Sequence, residues 1–313
     1  MYQCIARRLL ATIPVLVIVA VLVFLLLRIT PGDPAAILAG DAASTEQIEG
    51  IRKTLGLDQP LPVQFGIWAL QMVQGDLGES YYYKVRVTEL ISQRIEATFS
   101  LALFTIVVAV MISVPLGVVA AWRFGGWFDR FLMGFSVFGF SVPVFIVGYL
   151  LVWLVSLKLG WLPVQGYKRI DAGLWPWIQH LVLPAITLSV IYIALIARVT
   201  RASVLEALGE DYIRTARAKG LPESRVLIKH ALANAAVPIV TVIGIGIALL
   251  IGGVVVTESV YAIPGLGRLT VDAVLARDFP TIQGLILFFS LIYVGVNLLV
   301  DLSYVFLDPR IRY

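Results

Sequence analysis

The chain has 313 residues, 59% hydrophobic and only 14% charged, with a mean hydropathy of +0.92. Soluble domains carry about 25% charged residues, so a chain this apolar cannot wrap one core in a water-compatible surface and needs lipid as part of its solvent. The net charge of +4 without long basic runs argues against a nucleic-acid binder, Cys4 as the only cysteine excludes an intrachain disulfide, and His180 and His230, in separate segments without HExxH or CxxC spacing, argue against a protein metal cage.

Six stretches approach the roughly 20 residues of a membrane crossing. In chain order, 9–27, 99–122, 131–157, 181–197 and 235–257 are uncharged, and 284–307 is interrupted by Asn297 and Asp301. They read as helices, because lipid demands a closed backbone hydrogen-bond pattern and none shows the alternation of a barrel strand. Arg7 and Arg8 before the first run invite a signal-peptide reading. The run exceeds the roughly 7–15 residues of such a core, and no small-x-small cleavage site precedes Arg28. An even number of spans puts both termini on one side. Short segments there hold Arg7, Arg8, Arg123, Arg130, Arg310, Arg312 and the basic residues from Arg198 to Lys229, against Lys158, Lys168, Arg169, Arg268 and Arg277 opposite. Both termini are therefore expected in the cytoplasm.

Residues 29–98, too long for a simple connector, carry three helix signals. Pro31-Gly32-Asp33-Pro34 turns the chain out of the first span. Ser44 and Gln47 fit a capping box, followed by Ile48, Ile51 and Leu55 at helical spacing and a stop at Gly56. Phe65, Trp68, Ala69 and Met72 mark a second helix closed by Gly75-Asp76-Leu77-Gly78; Val87, Leu90, Ile91 and Ile95 mark a third that runs into span two. The segment reads first as a small packed cap on the membrane surface and second as a platform for an external partner or a lid. In span three, Ser141 and Pro143 predict a kink, since proline removes a backbone donor.

The segment 198–234 balances Arg198, Arg201, Arg214, Arg217, Lys219, Arg225 and Lys229 against Glu206, Glu210, Asp211 and Glu223. Its opening part extends span four. Asp211 to Lys219 then reads as a short helix stopped by Gly220 at C′, with Pro222 at N1 of the next helix. Thr215, Ala216 and Ala218 keep this helix slim enough to enter a partner's cleft, with Arg214 and Arg217 one turn apart at its edge. The charges alone satisfy the positive-inside rule; the ordered small residues, glycine and proline point further, to a docking element. In span five, Gly244, Ala248 and Gly252 form a small-xxx-small face for close packing or sliding. Ser141, Glu258, Asn297 and Asp301 are the pathway or gate candidates, because polar groups in spans are costly. Glu258 is expected to be solvated or a gate contact, and Asp301 to pair with Arg7 or Arg8. The loop 259–283 lacks GxxxxGK[ST] and predicts a short re-entrant helix near 269–275 rather than a phosphate loop.

The docking segment resembles the "EAA" loop of ATP-binding-cassette importer permeases. Arg214, Thr215 and Ala216 stand at the triplet and Gly220 at its glycine, departing from the general pattern as the peptide-permease branch does. Pro31-Gly32-Asp33-Pro34, 55–60, Gly75-Asp76-Leu77-Gly78, Pro264-Gly265-Leu266-Gly267-Arg268 and Asp308-Pro309-Arg310-Ile311-Arg312 are similar to the first permease subunit of dipeptide, oligopeptide, glutathione and nickel importers. The resemblance implies an all-α polytopic fold of about six transmembrane helices with type I importer architecture. It implies an N-terminal helix over 1–28, an external amphipathic segment over 29–98, and a five-helix permease core over 99–313 with a coupling loop at 198–234. Asp211, Tyr212, Arg214, Thr215, Ala216, Arg217, Ala218, Lys219 and Gly220 would be the ATPase-coupling residues. Implied partners are a second homologous permease, two ATPase subunits that carry ATP and magnesium, and an extracytoplasmic binding protein. The chain itself is then no enzyme and binds no cofactor or metal, in a bacterial inner membrane. Alternatives are a permease for nickel or another small solute, and an ion-coupled secondary transporter, against which no charge sits near mid-membrane. An intramembrane enzyme lacks a nucleophile–base signature.

Overall fold

The computed structural model describes residues 2–29, 34–39, 43–54 and 56–307. The turn over Pro31 to Asp33, Leu55, the terminal Asp308 to Arg312 and the side chains of Arg7 and Arg8 lie outside the described residues. Those residues form helices and no strand, with one antiparallel bridge between Glu79 and Arg86. The chain divides into two compact units, Met1–Gln93 with Leu269–Val294, and Arg94–Arg268 with Gly295–Tyr313.

The first unit contains α1 (Tyr2–Ile29), α2 (Pro34–Ala39), α3 (Thr45–Thr54) and α4 (Leu61–Val73). The capping box is reciprocal: the Ser44 N–H donates to Gln47 Oε1 at 2.9 Å and the Gln47 N–H to Ser44 Oγ at 3.3 Å. α3 stops at Gly56, whose φ of +63° suits a residue without Cβ, and the Leu57 N–H folds back to the Arg52 carbonyl at 3.0 Å. Phe65 and Trp68 of α4 stack around Phe24 of α1 with centroids 5.3 and 5.6 Å away. Fully buried Asp278 anchors the unit. It accepts from Ser80 Oγ at 2.5 Å, the Tyr81 N–H at 2.8 Å and Thr281 Oγ1 at 2.6 Å.

α5 (Val87–Trp122) is unbroken for 36 residues, so the third amphipathic helix does run into span two. A four-residue beat divides its faces. Ala97, Leu101, Thr105, Ala109 and Ser113 are buried, whereas Phe99, Leu103, Val107 and Met111 are exposed. The beat continues at Gly117, where a Cβ would stand 2.7 Å from the Ala197 carbonyl oxygen and 2.7 Å from Thr200 Cβ. Apart from Leu101, small residues thus face the protein, where they permit close helix contact, and large apolar ones face outward.

α6 (Trp127–Ser141) and α7 (Val144–Leu151), the latter prolonged by a π-helical turn over Val152–Lys158, meet at 102°. The kink expected in one span over 131–157 is therefore a break between two arms. Pro143 has no amide to continue the ladder and pushes Val142 into extended backbone at φ −91°, ψ 124°. α8 (Leu174–Leu208) is the axis: 67% of its most apolar 18-residue window is buried, against 22% for α5. After α9 (Asp211–Ala218) come α10 (Glu223–Arg225), a π-helical turn and α11 (Ala236–Val260), set at 63° to the preceding arm. The stripe expected on α11 is interrupted. Gly244 lies against Val300, but Gly252 faces open space, and Gly246 and Gly253 are the glycines packed on Tyr192 of α8. Their seven-residue spacing returns to one face after two turns. α12 (Leu266–Leu275) follows, with the short helix predicted near 269–275 starting earlier, and α13 (Phe279–Leu307) ends the described chain. Only 6% of the apolar window of α13 is buried within the chain.

Candidate functional site

α9 is held to its own chain along one face. Ile213 and Ala216, three apart, are buried in an apolar cluster with Val204, Ala207, Val226, Ala231 and Ile239. Asp211, Tyr212, Arg214, Thr215, Arg217, Ala218 and Lys219 stay exposed on the rest of its surface. The helix stops at Gly220, φ +75°, as expected, and the Gly220 N–H donates to the Arg217 carbonyl at 2.9 Å. Pro222 is the N-cap of α10, one position before the expected N1.

Two assignments on α9 change. Ala216 is small because α9 lies close on its own chain, so it does not thin the outer face. Arg217 is engaged across the Gly-Leu-Pro break, where Arg217 Nη2 donates to Glu223 Oε1 at 2.6 Å. The Arg217 guanidinium accordingly holds the Glu223 carboxyl below the usual carboxylate range. Arg214 remains largely exposed, 3.3 Å from Asp211. Burial in part, with Glu210 nearby, pushes the Tyr212 hydroxyl upward.

Glu258 is the strongest correction. Neither solvated nor open, it is fully buried and caps the start of α12. Its carboxylate accepts from Thr98 Oγ1 at 2.6 Å, from the Arg268 N–H at 2.9 Å and from the Gly267 N–H, while Thr98 Oγ1 accepts the Leu266 N–H at 2.7 Å. The orphan amides of a helix start are thereby satisfied by an acid from the preceding helix. Gly265 and Gly267 make this possible: a Cβ on Gly265 would collide with the Glu258 carboxylate, and one on Gly267 would lie 2.7 Å from Val255 Cα. Tyr261, buried beside it, bonds Thr187 Oγ1 at 2.7 Å and the Gly148 carbonyl at 3.3 Å, tying the end of α11 to α8 and α7.

The other pathway candidates are not gathered around Glu258. Ser141, exposed at the end of α6, donates to the Val137 carbonyl at 2.9 Å. Asn297 is exposed and Asp301 half-buried, one turn apart on α13. Two polar nodes escaped sequence reasoning. Asp129 of α6, 3% exposed, takes Arg201 of α8 in a two-pronged ion pair, with Nη2 to Oδ2 at 2.7 Å, and also accepts the Gly125 N–H at 3.0 Å. Glu96 receives Tyr167 Oη at 3.1 Å and Arg169 at 2.8 Å, holding the 159–173 loop against α5. The lone Asp129 in a basic flank was the one available signal for the first.

The residues 113–313 match the family model described as binding-protein-dependent transport system inner membrane component, and 1–102 match the model for the N-terminal part of such membrane components. The probable peptide ABC transporter permease protein y4tP of Sinorhizobium fredii is 53% identical over 309 residues, 99% of each chain. The glutathione transport system permease protein GsiC of Escherichia coli O6:H1 is 46% identical over 314 residues, 100% of each chain. A chain of the MetNI methionine ABC transporter in an inward-facing crystal form shares the fold, with TM-score 0.60 at 17% identity over 71% of this chain and 97% of that one.

Proposed function

Because the chain belongs to the family of binding-protein-dependent transport system inner membrane components, we infer that it is the permease subunit of an ATP-binding-cassette importer for peptides. It supplies half of the translocation pathway and is moved by ATPases on other chains. The observation that carries the coupling role is α9: one face fixed to its own chain by Ile213 and Ala216, the opposite face unfilled. A helix held this way passes a push from a partner into α8 and α11, against which its cluster packs.

In this reading the exposed residues Asp211, Tyr212, Arg214, Thr215, Ala218 and Lys219 enter a cleft on an ATPase subunit, and Gly220 and the Arg217–Glu223 pair fix the angle of the lever. Two such ATPases hold ATP and magnesium. A second homologous permease completes the pathway, and an extracytoplasmic binding protein delivers the solute. The surroundings are a bacterial inner membrane, with both termini cytoplasmic; the basic residues flanking the spans support that orientation. Ser141, Asn297 and Asp301 remain pathway candidates, whereas Glu258 acts through α12.

The test is reconstitution of the chain in vesicles with a second permease, two ATPases and the binding protein. Peptide uptake should require ATP and disappear with Ala218→Trp. Uptake by this chain alone, driven by an ion gradient, would overturn the reading.

A further inference from the structure

The first unit holds a solvent-open cavity of about 600 Å³ between α3, α4, the turn over 77–84 and the start of α13. Sites for small molecules enclose about 300–1,000 Å³. Lys53, from the last turn of α3, and Lys84 supply positive charge, Glu79 supplies negative charge, and Trp68, Tyr81 and Gln71 offer aromatic and amide surface. Among the described residues neither lysine nor Glu79 is consumed by an ion pair.

Lys84 is also held where a side chain resists going. Its φ is +57°, a left-handed conformation that disfavours a residue with a Cβ. The turn is closed by the Lys84 N–H to the Ser80 carbonyl at 3.1 Å and the Ser80 N–H to the Val85 carbonyl at 2.9 Å, and Ser80 is anchored through Asp278. The anchor thus retains a strained turn whose cation lines the cavity, as strained backbone does at ligand sites.

We propose that this cavity is an accessory binding site for short zwitterionic peptides. Lys53 and Lys84 receive the terminal carboxylate, Glu79 the terminal ammonium, and Trp68 covers the side chain between them. The choice of peptide as ligand rests on the importer reading; the cavity and its unpaired charges do not.

The experiment titrates the full-length chain in lipid nanodiscs with Ala-Phe and with Ala-Phe amide by calorimetry, alongside ATP-driven uptake of the same dipeptide by the assembled transporter. Saturable binding of the free acid is expected, about tenfold weaker for the amide and about tenfold weaker for Lys53→Gln, each step near 1.4 kcal/mol. Lys84→Gly should weaken binding equally while raising the melting temperature, because it relieves the left-handed strain, so lost binding is not lost folding. Equal binding of acid and amide, no saturable binding by the wild-type chain, or unchanged binding by Lys84→Gly would overturn the proposal. Uptake without cavity binding defeats this site alone; cavity binding without ATP-driven uptake defeats the importer reading and leaves the site standing.

Discussion

Two short helices, α9 and α12, have similar length and opposite surroundings. α12 is fastened by polar chemistry: Glu258 and Thr98 take up its first amides, and Leu266, Leu269 and Ala273 are buried. α9 has no side-chain cap; Ile213 and Ala216 bury its inner face, and Arg217 pairs with Glu223 across the following break. A helix whose start is satisfied inside its own chain is a fixed part. One whose charged and small residues stay uncovered leaves a face open. The proposed docking role needs the second kind, and a strut needs the first.

The contrast can be broken most severely at Glu258. Glu258→Ala leaves the Gly267 and Arg268 amides and the Thr98 hydroxyl without their acceptor and is expected to destabilise by about 3 kcal/mol, read as earlier thermal unfolding of the purified chain. Glu258→Gln, which keeps an acceptor oxygen, should recover part of the loss. An equally stable Glu258→Ala would mean α12 is no strut.

On α9 two tryptophans sharpen the comparison. Ala216→Trp overfills its buried contact and should cost about 1–3 kcal/mol. Ala218→Trp, on the uncovered face, should shift stability by less than about 0.5 kcal/mol while abolishing ATP-coupled uptake. If the two variants behave alike, the glued and open faces have been misassigned. A Cβ at Gly220 meets no neighbour within 4 Å, yet Gly220→Val must adopt a φ of +75°, so a loss of about 1–2 kcal/mol confined to the end of α9 is expected in hydrogen exchange.

The smallest effect concerns the Arg217–Glu223 pair, whose side chains are 45% and 37% exposed, so that it is worth under about 1 kcal/mol. The Glu223 carboxyl titrates lower in the fold than in the unfolded chain. Its contribution is therefore whole above the ordinary carboxylate range and fades as pH falls through the folded value. Protection at the α9–α10 break, taken relative to the intrinsic exchange rate at each pH, should fall on acidification, and this fall should be absent in Glu223→Gln.

What the sequence made legible was local. Ser44 with Gln47, Gly56, Gly75 and Gly220 announced where helices start and stop, because capping and left-handed backbone are decided by residues a few positions apart. The limits of α9 followed for the same reason. The break at Ser141–Val144 was harder, since hydropathy is uniform across it and proline alone does not give an angle. Glu258 read as solvated or a gate contact because an acid at a span's end usually meets water; its partners Thr98 and Arg268 are 160 and 10 positions away, and one of them is a backbone amide. Asp129 and Arg201 sit 72 residues apart and looked like two more charges in a flank. On α9 the small residues were noticed, but only packing distinguishes Ala216, turned inward, from Ala218, turned outward.

The beat along α5 carries a consequence for variation in this chain. Positions 103, 107 and 111 should accept almost any greasy replacement, whereas 109, 113 and 117 should reject even one added methyl group. A saturation library over this helix would then show bands of permissiveness every fourth codon, with bulk tolerated where a water-soluble protein would forbid it and forbidden where a glycine or alanine looks dispensable.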